Sequence, residues 1–317
     1  MWTIIEQIFP YAIMYTIPLL ITALGGLYSE RSGVVNIGLE GFMVVGSFIG
    51  AFVIVKLQTI WTNHTMAILV GLLSAIVIGI IFSLLHAFAS VHLSANQVIS
   101  GTAINMLAGA ITVFLSRNIT GSGNIRIEKG LQPFDIPFLS DIPIIGPLLF
   151  TKTQWTTWLI LLVVLCSSII LKRTAFGLRL RSCGEYPQAS EAAGINVRKM
   201  RYIGVMISGG MASLGGAIYL VTIASEFTGV VSGLGFLALA SLIFGQWRAL
   251  GILASTLFFG FASTVANVSQ AVPALQAIPP IFLKVFPYVV TLIALVIFSR
   301  SSQAPKAAGE VFDSSKR

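Results

Sequence analysis

The sequence predicts an all-α fold, a polytopic bundle of about nine transmembrane helices (eight to ten) in a single domain spanning residues 1–317. Of its 317 residues, 56% are hydrophobic and only 9% are charged, whereas soluble domains carry about 25% charged residues. The apolar residues also fall in blocks of about 20, the length that crosses a hydrocarbon core of about 30 Å. A chain of this composition lacks the polar surface to fold in water, so it is expected in the cell membrane.

The hydropathy pattern places nine spans in order along the chain. The seventh is short, and a half-helix or a re-entrant element is the alternative to a full crossing. No Lys or Arg precedes the first block, which therefore lacks the basic start of a cleaved signal peptide and is expected to remain as a span. The predicted spans are residues 9–28, 36–57, 65–89, 95–115, 154–171, 202–225, 233–245, 249–269 and 281–298.

Orientation is predicted from the basic loops. The loop 172–201 contains Lys172, Arg173, Arg179, Arg181, Arg198, Lys199 and Arg201. Because loops rich in Lys and Arg stay in the cytoplasm, this loop and the basic tail 300–317 are assigned to the cytoplasmic side. An odd number of spans then puts the N-terminus outside.

Two proline-rich segments, 116–153 and 271–287, fall on the predicted outer side. They are interpreted either as shaped loops for a docking partner or gate, or as plain connectors. The apolar stretch 142–150 in the first is too short to span. A weak similarity also relates residues 33–50 to residues 229–245. An internal repeat would explain it, and so would chance in apolar sequence.

The most informative polar stretch is GEYPQASEAAGINV, residues 184–197. Its residues 188–193 favour a short helix, with Pro187 suited to the first helical position and Gly194 to a left-handed end. Small alanines would let such a helix seat in a groove of another protein. An ordinary surface helix is the alternative.

A second stretch, SERSGVVNIGLEG (29–41), stands at the entry to a span. Asn36 is predicted to cap the helix start, and Glu40 is placed in its first turn, where the helix dipole favours negative charge. Ionisable groups inside a membrane are costly and are candidates for function. Asn36 and Glu40 are therefore interpreted either as capping and packing residues or as part of a gate or translocation pathway.

Two further spans carry polar or small residues. The stretch 96–105 holds Asn96, Gln97, Ser100 and Asn105, which either join helices to each other or line a polar pathway. The span 202–225 is rich in Gly, Ala and Ser at spacings typical of close helix packing, within the chain or across a dimer.

Several functions are disfavoured. The three histidines have no carboxylate or cysteine at ligand spacing, so no metal site is predicted. There is no phosphate-binding G-x-x-x-x-G-K-[ST] motif, and no nucleophile–base pair stands out. The net charge of +8 comes from basic residues at span ends rather than from a nucleic-acid-binding patch.

At residues 29–41 and 184–197 the sequence resembles the permease subunits of bacterial ATP-binding-cassette (ABC) importers, in the branch for branched-chain amino acids, simple sugars and nucleosides. The stretches NQVISGTAIN (96–105) and GFLALASLIFGQW (235–247) fit the same pattern. The motif ERSGVVNIGLEG and the length of the chain are most similar to those of the shorter permease of nucleoside uptake systems.

The resemblance implies a nucleoside importer working by alternating access, with ribose-like sugars and branched-chain amino acids as alternative solutes. It implies a second, homologous permease, cytoplasmic ATPase subunits that hold ATP and Mg²⁺, and an extracellular binding lipoprotein or protein, with no cofactor on this chain. Tyr186 departs from the asparagine frequent in the family, which is expected to alter partner choice. The residues implied in ATPase contact are Glu185, Ala189, Ala192, Ala193 and Gly194.

An ion-coupled secondary transporter is the alternative from another class. Such a protein needs intramembrane carboxylates or unwound ion sites. Within the predicted spans, Glu40 is the only carboxylate that could bind a coupling ion. The basic loop 172–201 would have no function in such a transporter. The importer permease is therefore preferred.

Overall fold

The computed structural model of the protein describes residues 2–268 and 303–313, together with a few isolated positions between 279 and 293. Short π-helical turns at Phe88–His92 and Leu220–Ala224 extend two of the helices. The helices in these ranges are α1 (Trp2–Arg31), α2 (Leu39–Gln58), α3 (His64–Ala87), α4 (Gln97–Thr120), α5 (Trp155–Arg173), α6 (Ala175–Glu185), α7 (Pro187–Ala192), α8 (Val197–Tyr219), α9 (Leu234–Phe244) and α10 (Ala249–Val268).

Seven helical segments of the described residues are long and apolar enough to cross a membrane, and they match seven predicted spans to within a few residues. In the predicted span 233–245 the structure has a half-helix, as the alternative interpretation allowed, because α9 is only about 16 Å long at 1.5 Å per residue. The predicted ninth span, 281–298, lies outside the continuously described ranges and stays a prediction. The seven segments are Ile8–Arg31, Leu39–Gln58, His64–His92, Gln97–Thr120, Trp155–Arg173, Val197–Ala224 and Ala249–Asn267.

Helix α8 lies at the centre of the bundle, against α1, α2 and α3. Its glycines allow backbones to touch: a methyl group at Gly216 would overlap the Met43 carbonyl of α2, and one at Gly209 would overlap Ser83 of α3. The predicted close-packing face of span 202–225 is therefore used within the chain. Small residues at such contacts are typical of membrane helices, where packing rather than hydrophobicity holds helices together.

Other helices leave apolar faces uncovered. Leu73, Val77 and Ile81 of α3 and Met106 and Phe114 of α4 are all exposed. Contiguous apolar surface of this extent is expected to face lipid or another membrane subunit. This agrees with the membrane location that the composition predicts.

The two ends of the bundle differ in charge and structure. The basic end is formed by residues 32–35, 93–96, 174–201, 245–248 and 303–313. Three of these segments, 32–35, 174–201 and 245–248, share hydrogen bonds with the tail 303–313. The opposite end, here called the loop end, is formed by residues 59–63, 121–154 and 225–231. There β1 (Ile125–Arg126) pairs antiparallel with β2 (Glu226–Phe227), a small departure from an all-α chain.

Two predicted loops are shorter than expected. Residues 116–120 of the predicted segment 116–153 belong to α4, which continues to the left-handed Gly121 (φ +76°). The predicted loop 172–201 is mostly helical, because α6 and α7 fill it and α8 already begins at Val197. The apolar stretch 142–150 makes only a short π-helical turn, Gly146–Phe150, and does not span.

Candidate functional site

Residues 32–38 turn back into the bundle after α1 and deliver α2 to a position inside it. Gly33 takes a left-handed conformation (φ +96°), which residues with a Cβ rarely adopt. The buried Asn36 then donates to Ser208 Oγ of α8 at 2.8 Å. Ser208 lies about 10 Å along α8 from Arg201 at the basic end, so the first residues of α2 start well inside the bundle.

The predicted helix-capping role of Asn36 is wrong. Helix α2 begins at Leu39, its N-cap is Gly38, and no side chain caps it. Asn36 Oδ1 instead accepts a hydrogen bond from the Gly38 N–H at 3.1 Å, a local turn that holds the chain just before the helix. The sequence identified Asn36 as a polar residue near the start of the span, but it did not predict the residue at which α2 begins.

Helix α4 holds this re-entrant segment (residues 32–38) from one side. Gln97 Oε1 accepts from Val35 N–H at 2.7 Å. Asn105 accepts from Gly41 N–H at 2.7 Å and donates to the Ile37 carbonyl at 3.0 Å. These contacts favour the helix-joining interpretation, because both amides satisfy backbone groups that α2 and the segment leave unpaired.

Ser100 also reaches the segment, through a histidine that the sequence analysis did not select. His86 of α3 is fully buried, with Nδ1 2.9 Å from Ser100 Oγ and Nε2 3.2 Å from the Val35 carbonyl. The only sequence signal was a histidine in an apolar helix. Asn96 is different: it is exposed and caps α4 by accepting from Val98 and Ile99 N–H, so it lies outside this cluster.

Glu40, in the first turn of α2 as predicted, joins two helix starts. Its Oε1 accepts from Gly233 N–H at 3.0 Å and its Oε2 from Gly235 N–H at 2.6 Å. These donors belong to the start of α9, which has no side-chain cap of its own. A carboxylate between the positive ends of two helices is electrostatically favourable.

The depth of this junction follows from α4. Asn105, bonded to Gly41, lies about 12 Å along α4 from the basic end and about 22 Å from the loop end. Half-helix α9 therefore starts inside the bundle, beside the start of α2. The two segments of the weak sequence repeat, 33–50 and 229–245, thus place their helix starts side by side, while the repeat itself stays a prediction.

Helix α7 lies at the basic end and has the predicted features. Pro187 is its first residue, and Gly194 has φ +80°. Gly194 N–H donates to the Glu191 carbonyl and Ile195 N–H to the Ser190 carbonyl, the hydrogen-bond pattern of a Schellman ending. The implied ATPase-contact residues on this helix and its end are exposed: Ala189, Ala192, Ala193 and Gly194.

Glu185, the remaining implied contact, faces its own chain. Its carboxylate lies 3.5 Å from the Arg31 guanidinium and accepts from Lys306 N–H at 3.4 Å. Tyr186 is exposed, and its hydroxyl accepts from Lys306 Nζ, a bond that raises the pKa of Lys306. The partly buried Glu185 thus marks the edge of the exposed α7 surface.

The tail 303–313 packs across the basic end, which the sequence analysis did not foresee. Ala307 N–H donates to the Gly184 carbonyl and Gly309 N–H to the Gly33 carbonyl. The buried Arg201 of α8 donates to the Glu310 carbonyl at 2.8 Å and lies 5.8 Å from the centre of the Phe312 ring. The tail therefore ties the α6–α7 region to the re-entrant segment.

Within the part of the chain that the structure describes, no three or more His, Cys, Asp or Glu side chains are grouped to hold a metal ion. The polar residues described above instead bond to backbone groups of re-entrant or discontinuous segments. This arrangement positions helices within the bundle.

The chain is similar to known proteins over most of its length. The guanosine ABC transporter permease protein NupQ of Bacillus subtilis (strain 168) is 44% identical over 99% of this chain and 98% of that protein. The nucleoside ABC transporter permease protein NupC of Lactococcus lactis subsp. cremoris (strain MG1363) is 41% identical over 96% of both chains. The nucleoside ABC transporter permease protein NupB of that Lactococcus strain is 23% identical over 92% of this chain and 79% of its own length.

A family model described as the branched-chain amino acid transport system permease component matches residues 8–295. That range includes the re-entrant segment, Glu40, α7 and α9. With a match over most of its length, the chain belongs to the family of branched-chain amino acid transport system permease components.

Proposed function

We propose that this chain is a transmembrane permease subunit of an ATP-driven ABC importer and that it moves nucleosides by alternating access. The observation that carries the proposal is α7, a capped, alanine-rich helix exposed at the basic end. The similarity to nucleoside permeases over nearly the whole chain supports the solute class.

The basic end is assigned to the cytoplasm. It carries Arg179, Arg181, Arg198 and Lys199, and such loops stay on the cytoplasmic side. The tail 303–313, packed on this end, is then cytoplasmic, and the loop end with β1 and β2 faces outward. The N-terminus is placed outside.

The proposal includes three kinds of partner. ATPase subunits, which hold ATP and Mg²⁺, dock on Ala189, Ala192, Ala193 and Gly194, with Glu185 at the edge. A second, homologous permease covers part of the exposed apolar surface. A heterodimer is supported by the similarity to both NupC and NupB, two permeases of one Lactococcus strain. A binding lipoprotein or protein delivers the solute at the loop end.

In the transport cycle, closure of the ATPase dimer moves α7, and the discontinuous elements respond. The re-entrant segment and the start of α9 are held by hydrogen bonds, while the apolar residues of α9 pack in the core. These discontinuous elements are proposed to change position as units between two states. Asn36, Gln97, Ser100, Asn105 and Glu40 hold these elements, and Asn96 caps the helix beside them.

The function is tested with the complete complex in proteoliposomes, by following labelled guanosine. We expect uptake that requires ATP, is competed by other nucleosides and is unaffected by excess ribose. Competition by ribose but not by nucleosides would assign the sugar as solute. Uptake by this chain alone, driven by an ion gradient without ATP, would contradict the importer and favour the secondary transporter.

The Gly194→Ala variant is expected to uncouple transport. A left-handed residue with a Cβ costs about 1–2 kcal/mol, so the end of α7 should rearrange and its contact surface should change. We expect at least a tenfold fall in uptake while the ATPase subunits keep hydrolysing ATP. Uptake and ATP hydrolysis are measured on the same proteoliposomes.

Gly121→Ala is the matched control. Gly121 is also left-handed (φ +76°), and neither glycine has an atom within 4 Å of the Cβ position. The control therefore introduces the same backbone strain at the loop end. Equal losses of uptake in the two variants would argue against a special role for α7.

A further inference from the structure

We infer that Arg31 and Trp247 are positioning residues that carry the movement of α7 to half-helix α9. The inference rests on the proposed function, because it concerns how an ATPase-driven movement reaches the membrane interior. It assigns a role to two side chains that lie outside both the α7 surface and the Glu40 junction.

Arg31, the last residue of α1, contacts both sides of this route. Its Nη1 lies 3.5 Å from Oε1 of Glu185, the last residue of α6, which is separated from α7 only by Tyr186. Its Nη2 and Nε donate to the Trp247 carbonyl at 2.9 and 3.2 Å. The planar guanidinium can hold both groups at once because it presents several donors in a fixed fork.

Trp247 lies in the turn between α9 and α10 and is held from two directions. While its carbonyl accepts from Arg31, its indole N–H donates to the carboxylate of Glu30, the preceding residue of α1. Trp247 is 8% exposed and Glu30 is 7% exposed. Two consecutive residues of α1 therefore bond to Trp247: Glu30 to its indole N–H and Arg31 to its backbone carbonyl.

The backbone of this turn is strained. Gln246 and Trp247 have φ of +51° and +52°, and residues with a Cβ adopt this conformation only where surrounding contacts impose it. The hydrogen bonds that join Trp247 to Glu30 and Arg31 are such contacts. Strained residues of this kind cluster at active sites, ligand clamps and switch regions.

Half-helix α9 is linked to this turn at one end and to Glu40 at the other. Ser255 of α10 donates to the Ser241 carbonyl of α9 at 2.7 Å, and a Cβ at Gly245 would lie 2.5 Å from Ile252 N. The end of α9, the turn and the start of α10 are thus packed backbone to backbone. A displacement at Trp247 is expected to move α9 against Glu40.

The consequence is a continuous route of direct contacts. It runs from α7 through Glu185 and Arg31 to Trp247, and then along α9 to the junction inside the bundle. When the ATPases move α7, Arg31 pulls on the turn, and the start of α9 shifts relative to α2.

The experiment uses the complete complex in proteoliposomes and measures guanosine uptake and ATP hydrolysis separately. For Arg31→Gln we expect at least a tenfold fall in solute moved per ATP, with hydrolysis within about twofold of wild type. Arg31→Lys should recover uptake only in part, because an ammonium keeps the pairing with Glu185 but not the fork. Glu185→Gln should give the same type of uncoupling as Arg31→Gln.

Arg248→Gln is the matched control. Arg248 is an exposed arginine in the same turn, and its guanidinium donates to Gln303 in the tail. This variant is expected to keep the wild-type ratio of uptake to hydrolysis. Size-exclusion chromatography of each purified complex checks that the subunits remain assembled.

Three results would overturn the inference while leaving the importer intact. In the first, Arg31→Gln keeps the wild-type ratio of uptake to hydrolysis. In the second, uptake and hydrolysis fall in parallel with a loss of assembled complex, which would indicate a structural role alone. In the third, Arg248→Gln uncouples transport as strongly as Arg31→Gln does. Failure of the wild-type complex to couple uptake to ATP would instead refute the proposed function.

Discussion

The Gly216→Ala variant is expected to show a large loss of folded protein. Gly216 of α8 lies against α2, where an added methyl group would overlap the Met43 carbonyl. The obstacle is backbone, so no side chain can rotate away, and the two helices must separate. Overpacking of this kind typically costs about 1–3 kcal/mol and occasionally more, and we expect the upper part of this range or beyond.

Helix α2 also contributes a glycine to its contact with α8, which strengthens the expected loss of folded protein. A methyl group at Gly46 of α2 would overlap the Ser213 carbonyl of α8, and Ser213 Oγ already donates to the Phe42 carbonyl at 2.8 Å. The two helices therefore meet along a line of backbone contacts. Separating them at one point weakens the hydrogen bond beside it.

The measurement is the thermal midpoint of the detergent-solubilised chain, followed by size-exclusion fluorescence. The control is Gly109→Ala in α4, because no atom lies within 4 Å of the Cβ position there. Alanine favours a helix over glycine by about 1 kcal/mol, so this control should be neutral or stabilising. Similar midpoints for the two variants would refute the close approach of α2 and α8.

Most of the spans could be predicted from the sequence, because apolar length alone decides whether a helix crosses a bilayer. The short α7 could also be predicted, since Pro187 and Gly194 fix its ends through their own backbone preferences. Gly216 and the other small residues of α8 indicated close packing. Their partner helices within the chain could not be derived, because spacing on one helix does not identify its neighbour.

The re-entrant segment shows why the start of α2 was misplaced. Residues 36–38 are followed by apolar residues, so hydropathy extends the span through them, whereas Asn36 bonds to Ser208 and delays the helix to Leu39. This bond joins residues far apart in sequence. No local pattern can indicate it.

The tail and the turn at Trp247 were missed for a related reason. Residues 303–313 are polar and lack periodicity, so they resemble a free tail, yet backbone donors at Ala307 and Gly309 fix them to the basic end. Trp247 lies between the predicted spans 233–245 and 249–269, where the sequence indicated only a connection. Its indole and its carbonyl bond to Glu30 and Arg31, which lie more than 200 residues away.

Replacement of Glu40 is expected to have the largest effect on transport. In Glu40→Ala, the N–H groups of Gly233 and Gly235 lose their acceptor inside the bundle, and each unpaired buried donor costs about 1–3 kcal/mol. The α9 start should then detach from α2. We expect uptake to fall at least a hundredfold and the thermal midpoint of the chain to drop.

Glu40→Gln separates the role of the charge from that of shape. An amide keeps one acceptor oxygen but turns an NH₂ group towards the other backbone donor, so one of the two bonds is lost. We expect intermediate uptake, at least tenfold below wild type, with a smaller fall in thermal midpoint than in Glu40→Ala. Glu128→Gln, which alters an exposed carboxylate at the loop end, should leave both quantities unchanged.

Uptake and thermal midpoint together distinguish the two interpretations of Glu40 that the sequence left open. If Glu40 acts by holding the starts of α2 and α9, uptake and thermal midpoint should decline in the same order, from wild type through Gln to Ala. If the carboxylate instead contacts the solute, uptake should collapse in Glu40→Gln while the midpoint stays at the wild-type value. The observed bonds to Gly233 and Gly235 predict the first outcome, since both carboxylate oxygens are already engaged by α9.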